Sequence, residues 1–183
     1  MVRSLSALER LELDDEETGD LVAVVETPKG SHNKYKYDTK RGVMQLGGVL
    51  GEGLAFPYDF GFFPSTLGED GDPLDVLLML DSSVPPATIV TVRLIGVLEC
   101  RQKEKGKPWV RNDRYLAVAT HAHTHQHLQR LSDFHPHLLR EIEAFFVHYT
   151  GLNGKRLKVV GRGGPRQAAR RLDEGRKAFR KSA

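Results

Sequence analysis

The sequence is short of cysteine, of long apolar runs and of repeats, and each shortage excludes something. Cys100 is the only cysteine in 183 residues, so no intrachain disulfide can staple the fold, and a reducing compartment is expected. The longest apolar stretches, such as Val76-Leu77-Leu78-Met79-Leu80, are far too short for a membrane span. The opening Met1-Val2-Arg3-Ser4 leads into alternating apolar and acidic residues without an apolar signal core, so no secretory leader is expected. No internal repeat or low-complexity linker divides the chain, and its length suits one ordinary domain with a real core. The expected compartment is the cytoplasm.

Charge is present in quantity but unevenly placed. From Lys155 to the end there are 11 basic and 2 acidic residues, against 16 basic and 22 acidic before it. The basic end carries only Phe179 as an aromatic, so a solvated C-terminal helix is the better reading. Nucleic acid is not expected as its partner. Residues 1–20, with Asp14, Asp15, Glu16 and Glu17, read as a loosely held acidic arm.

Hydrophobic patterning predicts strands over Leu21–Glu26, Lys34–Asp38, Leu74–Leu80, Ile89–Glu99, Tyr115–Ala119 and Leu157–Val160. Arg41-Gly42 marks a turn, and glycine-rich residues 47–53 read as a loop. Phe134–Tyr149 has helical spacing, with Leu138, Leu139, Ile142, Phe145, Phe146 and Tyr149 on one face and Gly151 as its stop. Pro165 opens a basic helix to the C-terminus, since proline suits a first helical turn. Strands first and helices last argue for an α+β domain, with a barrel or curled sheet and helices packed outside it.

The strongest local feature is Asp70-Gly71-Asp72-Pro73-Leu74-Asp75-Val76. Three carboxylates crowd a tight turn at the mouth of an apolar strand, and a hard divalent cation would relieve that crowding. The ligand spacing of an EF-hand is absent. Elsewhere His121, His123, His125 and His127 alternate. On an extended segment they would share a face able to hold Zn²⁺ or Ni²⁺, though a polar loop is the better reading. Cys100 and Trp109 read as packing residues, and His135, His137 and His148 as surface or helix-packing residues.

The acidic turn resembles the signature segment of the soluble family I inorganic pyrophosphatases, and its flanks resemble that family in order. Val25-Glu26-Thr27-Pro28-Lys29-Gly30, Asn33-Lys34-Tyr35, Phe56-Pro57-Tyr58-Asp59-Phe60-Gly61-Phe62, Thr66-Leu67-Gly68, Phe145-Phe146-Val147-His148-Tyr149 and Leu157-Lys158-Val159 each match a family stretch. Ordered motifs at consistent spacing are far more specific than any one of them. The resemblance implies a closed five-stranded, OB-like β-barrel with flanking α-helices and metal-dependent hydrolysis of diphosphate to two phosphates. It implies Mg²⁺ as cofactor, with Mn²⁺ or Zn²⁺ as alternatives, and a homo-oligomer, in bacteria often a hexamer. It implies that Asp72 is the general base, that Asp70, Asp75, Asp113 and Glu26 hold metal, and that Lys34 and Tyr149 contact phosphate. Several family side chains differ here: Lys36 stands for a glutamate, Gly48 for an arginine, Phe56 and Phe60 for tyrosines, Gln102 for an aspartate, and Tyr115 and Thr150 for lysines. Lys36, Arg41, Arg111 and Arg114 lie in or near the expected rim as replacement cations. Two other readings stay open beside hydrolysis of diphosphate. One is a related phosphohydrolase for another phosphorylated substrate, and the other a binding protein on the same fold without turnover.

Overall fold

A computed structural model of the chain describes residues 7–182. The first six residues of the predicted acidic arm lie outside them. The rest of that arm is anchored: Leu13 is buried, Asp14 bridges to Leu21, and Arg176 pairs with Asp14 at 2.8 Å.

Nine strands and two long helices follow: β1 (Leu21–Thr27), β2 (Asn33–Asp38), β3 (Val43–Val49), β4 (Asp59–Phe63), β5 (Leu74–Met79), β6 (Ile89–Lys103), β7 (Val110–Arg111), β8 (Arg114–Ala119), α1 (Pro136–Leu152), β9 (Arg156–Gly163) and α2 (Pro165–Ser182). The main sheet runs β1-β4-β5-β8-β6, and β6 pairs back to β1, so five strands close into a ring. The expected OB-like barrel with flanking helices is therefore the fold. β7 and β9 extend it along β6, and β2 with β3 forms a separate hairpin.

The strands of the ring are apolar on both faces because both faces are covered. β5 sends Leu77 and Met79 into a core shared with Leu139, Ile142 and Phe146 of α1, and Val76 and Leu78 into one shared with Ala168 and Leu172 of α2. β8 does the same with Leu116 and Val118 on the α1 side and Tyr115 and Ala117 on the α2 side. This two-residue alternation decides the active-site geometry below.

Some boundaries differ from the sequence expectation for identifiable reasons. β4 was not predicted; its residues sit in a run of aromatics and glycine without clear alternation, since all five are buried. Gly61 within it is forced by packing, because a Cβ there would lie 1.9 Å from Val24 O of the neighbouring strand. Gly47 and Gly48 belong to β3 rather than a loop. β6 runs four residues past Glu99 because β7 and β9 pair with its far end. α1 passes through Gly151 and stops near Asn153 and Gly154, where Gly154 takes the left-handed φ of +72°. Leu138 is 43% exposed and lies off the buried face.

Candidate active site

The acidic turn is held by its own backbone. Gly68 N donates to Asp72 O at 2.8 Å, Gly71 adopts φ +89°, and Leu74 N donates to Thr66 Oγ1 at 3.0 Å. Glycine is the residue that takes such a φ without strain. The turn delivers Asp75 to the first rung of β5, on the α1 side of the ring, with Asp70 and Asp72 just before it.

Asp70, Asp72 and Asp75 line a cleft of about 610 Å³ together with Glu26 of β1, Lys34 and Lys36 of β2 and Tyr149 of α1. Six of the seven residues expected at the site thus meet in one place, although they come from four separate stretches of chain. The β2-β3 hairpin forms one wall and is tied to β1, because Tyr37 N donates to Glu26 Oε1 at 2.8 Å and Thr27 Oγ1 donates to Tyr35 O at 3.0 Å. Arg41 reaches the rim but pairs with Asp38 at 2.6 Å.

Asp113 stands apart from these six, in a neighbouring pocket that shares Asp70 with the cleft. It is 4% exposed and accepts a hydrogen bond from Cys100 N at 2.8 Å. It lines a second, smaller pocket of about 240 Å³ beneath α2, with Arg111, Tyr115, Arg171 and Glu174. The physical reason is alternation: Asp113 and Tyr115 share one face, and Asn112 and Arg114 the other. Arg114 lines the acidic cleft instead, and Asn112 lies between the two pockets and lines both. Arg111 also leaves the expected rim and pairs with Glu174 at 3.3 Å.

Two cations stand among the cleft acids. Lys36 Nζ lies 3.3 Å from Asp72 Oδ2, and Arg114 Nη1 lies 2.6 Å from Asp75 Oδ2, where Asp75 and Arg114 are paired across β5 and β8. Arg114 is itself held by Asn112 O at 3.1 Å and stacked over Phe146 at 5.3 Å. Lys34 Nζ lies over the rings of Phe60 and Tyr149, at 5.7 and 5.4 Å. Phe56 lies deeper, 2% exposed, packed against Phe60, Phe145 and Tyr149. Gln102 accepts from Asn112 Nδ2 at 3.2 Å, and Glu104 pairs with Lys155 at 2.7 Å along the same wall. Sequence reading missed Glu104 and Lys155, and carried no signal for them, since both lie in or beside turns that only pairing along β6 and β9 aligns.

The acids are crowded, and their acidity shows it. Burial pushes Glu26 up to about 7 against the pull of the Tyr37 N–H, with Asp75 adding to the rise. Asp70 keeps an exposed edge, yet desolvation by the protein around it, then Asp75 and Asp72, pushes it up to about 6. Burial works to lower Lys36, but Asp72 beside it, with Glu26 and Asp75 further off, outweighs that and raises it. Carboxylates that resist ionisation in an open polar cleft form a donor set that suits a hard divalent cation. Among the described residues no group of three or more His, Cys, Asp or Glu is gathered to ligate one ion, and Asp72 and Asp75 are turned to Lys36 and Arg114. The donor chemistry therefore fits a metal once those ion pairs exchange. The alternating histidines do not form a metal face. His121–His127 is a turn region, in which His123 N and Thr124 N bind Asp81. Cys100 is buried with its thiol pushed up to about 12, as an inert strand residue. No helix among the described residues is long and apolar enough to cross a membrane.

Comparison with known proteins places this geometry. The family model described as inorganic pyrophosphatase matches residues 23–180. The inorganic pyrophosphatase of Corynebacterium glutamicum is 42% identical over 145 residues, 79% of this chain and 88% of that protein. That of Thermus thermophilus is 35% identical over 170 residues, 93% of this chain and 94% of that one. The crystal structure of a Thermus thermophilus inorganic pyrophosphatase superposes with a TM-score of 0.86 at 32% identity, covering 96% of this chain and 99% of that one. A barrel of this topology, an acidic cleft at the mouth of β5 and a match over nearly the whole chain make it a member of the inorganic pyrophosphatase family.

Proposed function

We propose that the cleft hydrolyses inorganic diphosphate to two phosphates in a metal-dependent reaction. The single observation that carries the reading is the gathering of Glu26, Asp70, Asp72 and Asp75 with Lys34, Lys36, Arg114 and Tyr149 around one cleft. The activity named for the relatives supports it.

Diphosphate is a compact, highly charged substrate, so the cleft must answer negative charge at the terminal and bridging oxygens. Glu26, Asp70 and Asp75 are the residues that would hold Mg²⁺, with Mn²⁺ or Zn²⁺ as substitutes. When bound, a divalent cation supplies neutralising charge at the phosphate oxygens and acidifies water. The rest is the work of the chain itself. Asp72 Oδ2 orients the attacking water and accepts its proton. Lys34, held by two rings, and the Tyr149 hydroxyl receive terminal phosphate oxygens. Lys36 and Arg114 are tethered cations of the same kind. Exchanging their carboxylate partners for phosphate frees Asp72 and Asp75 for the reaction. Asp113, on the far side of the strand, has no part in this scheme.

The test is phosphate release from diphosphate with Mg²⁺, Mn²⁺ or Zn²⁺ in turn, beside Asp72→Asn. Metal-dependent release that disappears in the variant is expected. Release no greater than that of the variant with every metal would end the reading. We also assign the protein to the cytoplasm, supported by its single free buried cysteine. Assembly into a homo-oligomer is supported by the exposed apolar side chains Leu46, Val49 and Leu152. Light scattering at the 20.5 kDa mass of one chain would remove the oligomer.

A further inference from the structure

The strand that forms a wall of the acidic cleft carries an opposite charge on its back. At the far end of β6, Gln102 and, just past the strand, Glu104 line the cleft, while Arg101 and Lys103 alternate with them and face outwards. The pairing of β6 with β9 sets Arg101 opposite Lys158 and Lys103 opposite Arg156. The pairing with β7 sets Arg101 opposite Arg111. Trp109 is two residues before Arg111 and so shares its face. Five cations and one indole thus occupy the outer face of three adjacent strands.

Like charges directly opposite on a sheet face are destabilising. Three such pairs in one block call for a compensating partner, and the chain provides one for Arg111 alone, through Glu174. Among the described residues, no carboxylate lies within ion-pair distance of Arg101, Lys103, Arg156 or Lys158. The two flanking acids are both engaged elsewhere, Glu99 with Arg171 and Gln167 and Glu104, just past the strand, with Lys107 and Lys155. Arg101, Arg156 and Lys158 are exposed. Trp109 is no packing residue. It is only half-buried, with Lys158 Nζ 5.0 Å and Arg156 Cζ 5.8 Å from its ring centre, and its carbonyl accepts from Arg101 Nη2 at 3.3 Å. The ring therefore braces cations on a face that is left open. Lys105, in the loop just beyond, is exposed and extends the same charge.

We propose that this outer face of β7, β6 and β9 binds single-stranded nucleic acid. Neighbouring strands lie about 4.8 Å apart and alternate residues along a strand about 6.7 Å apart, so the cations form a flat grid that tracks a flexible phosphate backbone. The indole on the same face offers a surface on which a base stacks in exchange for the resident cations. A carboxylate-rich peptide would satisfy the charge but leave the ring unused, and a duplex is too stiff to follow the grid and present an unpaired base. The proposal stands apart from the hydrolytic cleft, since none of Arg101, Lys103, Trp109, Arg156 and Lys158 lines it.

Trp109 is the only tryptophan in the sequence, so its fluorescence reports on this face alone. The full-length protein is titrated with a uridine 20-mer, with a duplex of that length and with inorganic polyphosphate of matched charge, over a range of salt. The expected result is quenching by the single strand, weakening with salt, and at least tenfold weaker binding of the other two. In the double variant Arg101→Gln, Lys158→Gln, affinity falls at least tenfold at low salt, and the salt slope shrinks by about 1.4, the share of two phosphate contacts. Circular dichroism and diphosphate hydrolysis are expected to match the parent. Should the double variant fail to fold, Arg156→Gln alone gives the same test with about half the change in slope. Three outcomes overturn the proposal: no quenching by the single strand, unchanged affinity in a folded variant, or equal or tighter binding of polyphosphate or duplex.

Discussion

Two pockets meet at Asp70, and their charges are arranged on opposite principles. Beneath α2, Asp113 accepts from Cys100 N and has Arg171 Nε at 3.8 Å and Arg111 Nε at 3.9 Å. Arg171 in turn pairs with Glu99, which also accepts from Gln167, and Arg111 with Glu174. Acid and base alternate there, and the network sews a helix to the barrel. In the open cleft, four acids outnumber the cations that reach them, and Glu26 and Asp70 are held towards their protonated forms. Burial raises Asp113 too, but its partners oppose the rise. The difference teaches that a buried carboxylate is not a site by itself. A site is where charge is left unanswered and water can enter.

Exchanging the roles of the two pockets is the sharpest way to break this comparison. Asp72→Asn is expected to lower the turnover number for diphosphate by about 10²–10⁴-fold, with the melting temperature unchanged. Asp113→Ala is expected to do the reverse. It leaves the buried Cys100 N–H without an acceptor although Arg171 keeps Glu99, costing about 1–3 kcal/mol by urea denaturation, while turnover stays within about twofold. If Asp113→Ala instead abolishes turnover in a stably folded protein, the smaller pocket belongs to the active site.

Glu26→Gln sharpens the comparison by pH. A carboxyl whose acidity is weakened from 4.5 to about 7 contributes stability below its unfolded value, and loses it as pH rises through about 7. Glutamine keeps the acceptor for Tyr37 N–H and never ionises. In chelator, the variant is therefore expected to match the parent near pH 4.5 and to exceed it by about 3 kcal/mol at pH 8. Thermal melts at the two pH values check this. A difference that does not depend on pH would mean that Glu26 is as well partnered ionised as it is neutral.

Much of the cleft was legible in the sequence because its main parts are local. The turn Asp70–Asp75 places three acids within six positions, and a glycine and a proline beside them dictate the bend. The pieces that were not legible depend on pairing. Asp113, Asn112 and Arg114 are consecutive, and only the register of β8 against β5, with Asp75 beside Arg114, says which of them faces the acids. The alternation of Leu116 and Val118 against Tyr115 and Ala117 was the available signal, but a run of apolar residues buried on both faces hides its own period. Trp109 looked like a packing residue for the same kind of reason. Its neighbours Arg156 and Lys158 are distant in sequence and meet it only across three strands.

The sequence by itself determined the family, the α+β order of elements, the acidic turn and the basic C-terminal helix. These follow from local spacing, from turn residues and from charges close together in the chain. The tertiary structure alone decided which acids share a cleft, which cations stand among them and which face of β6 is left uncompensated. Those depend on strand register, and a shift of one residue there moves every side chain to the other face.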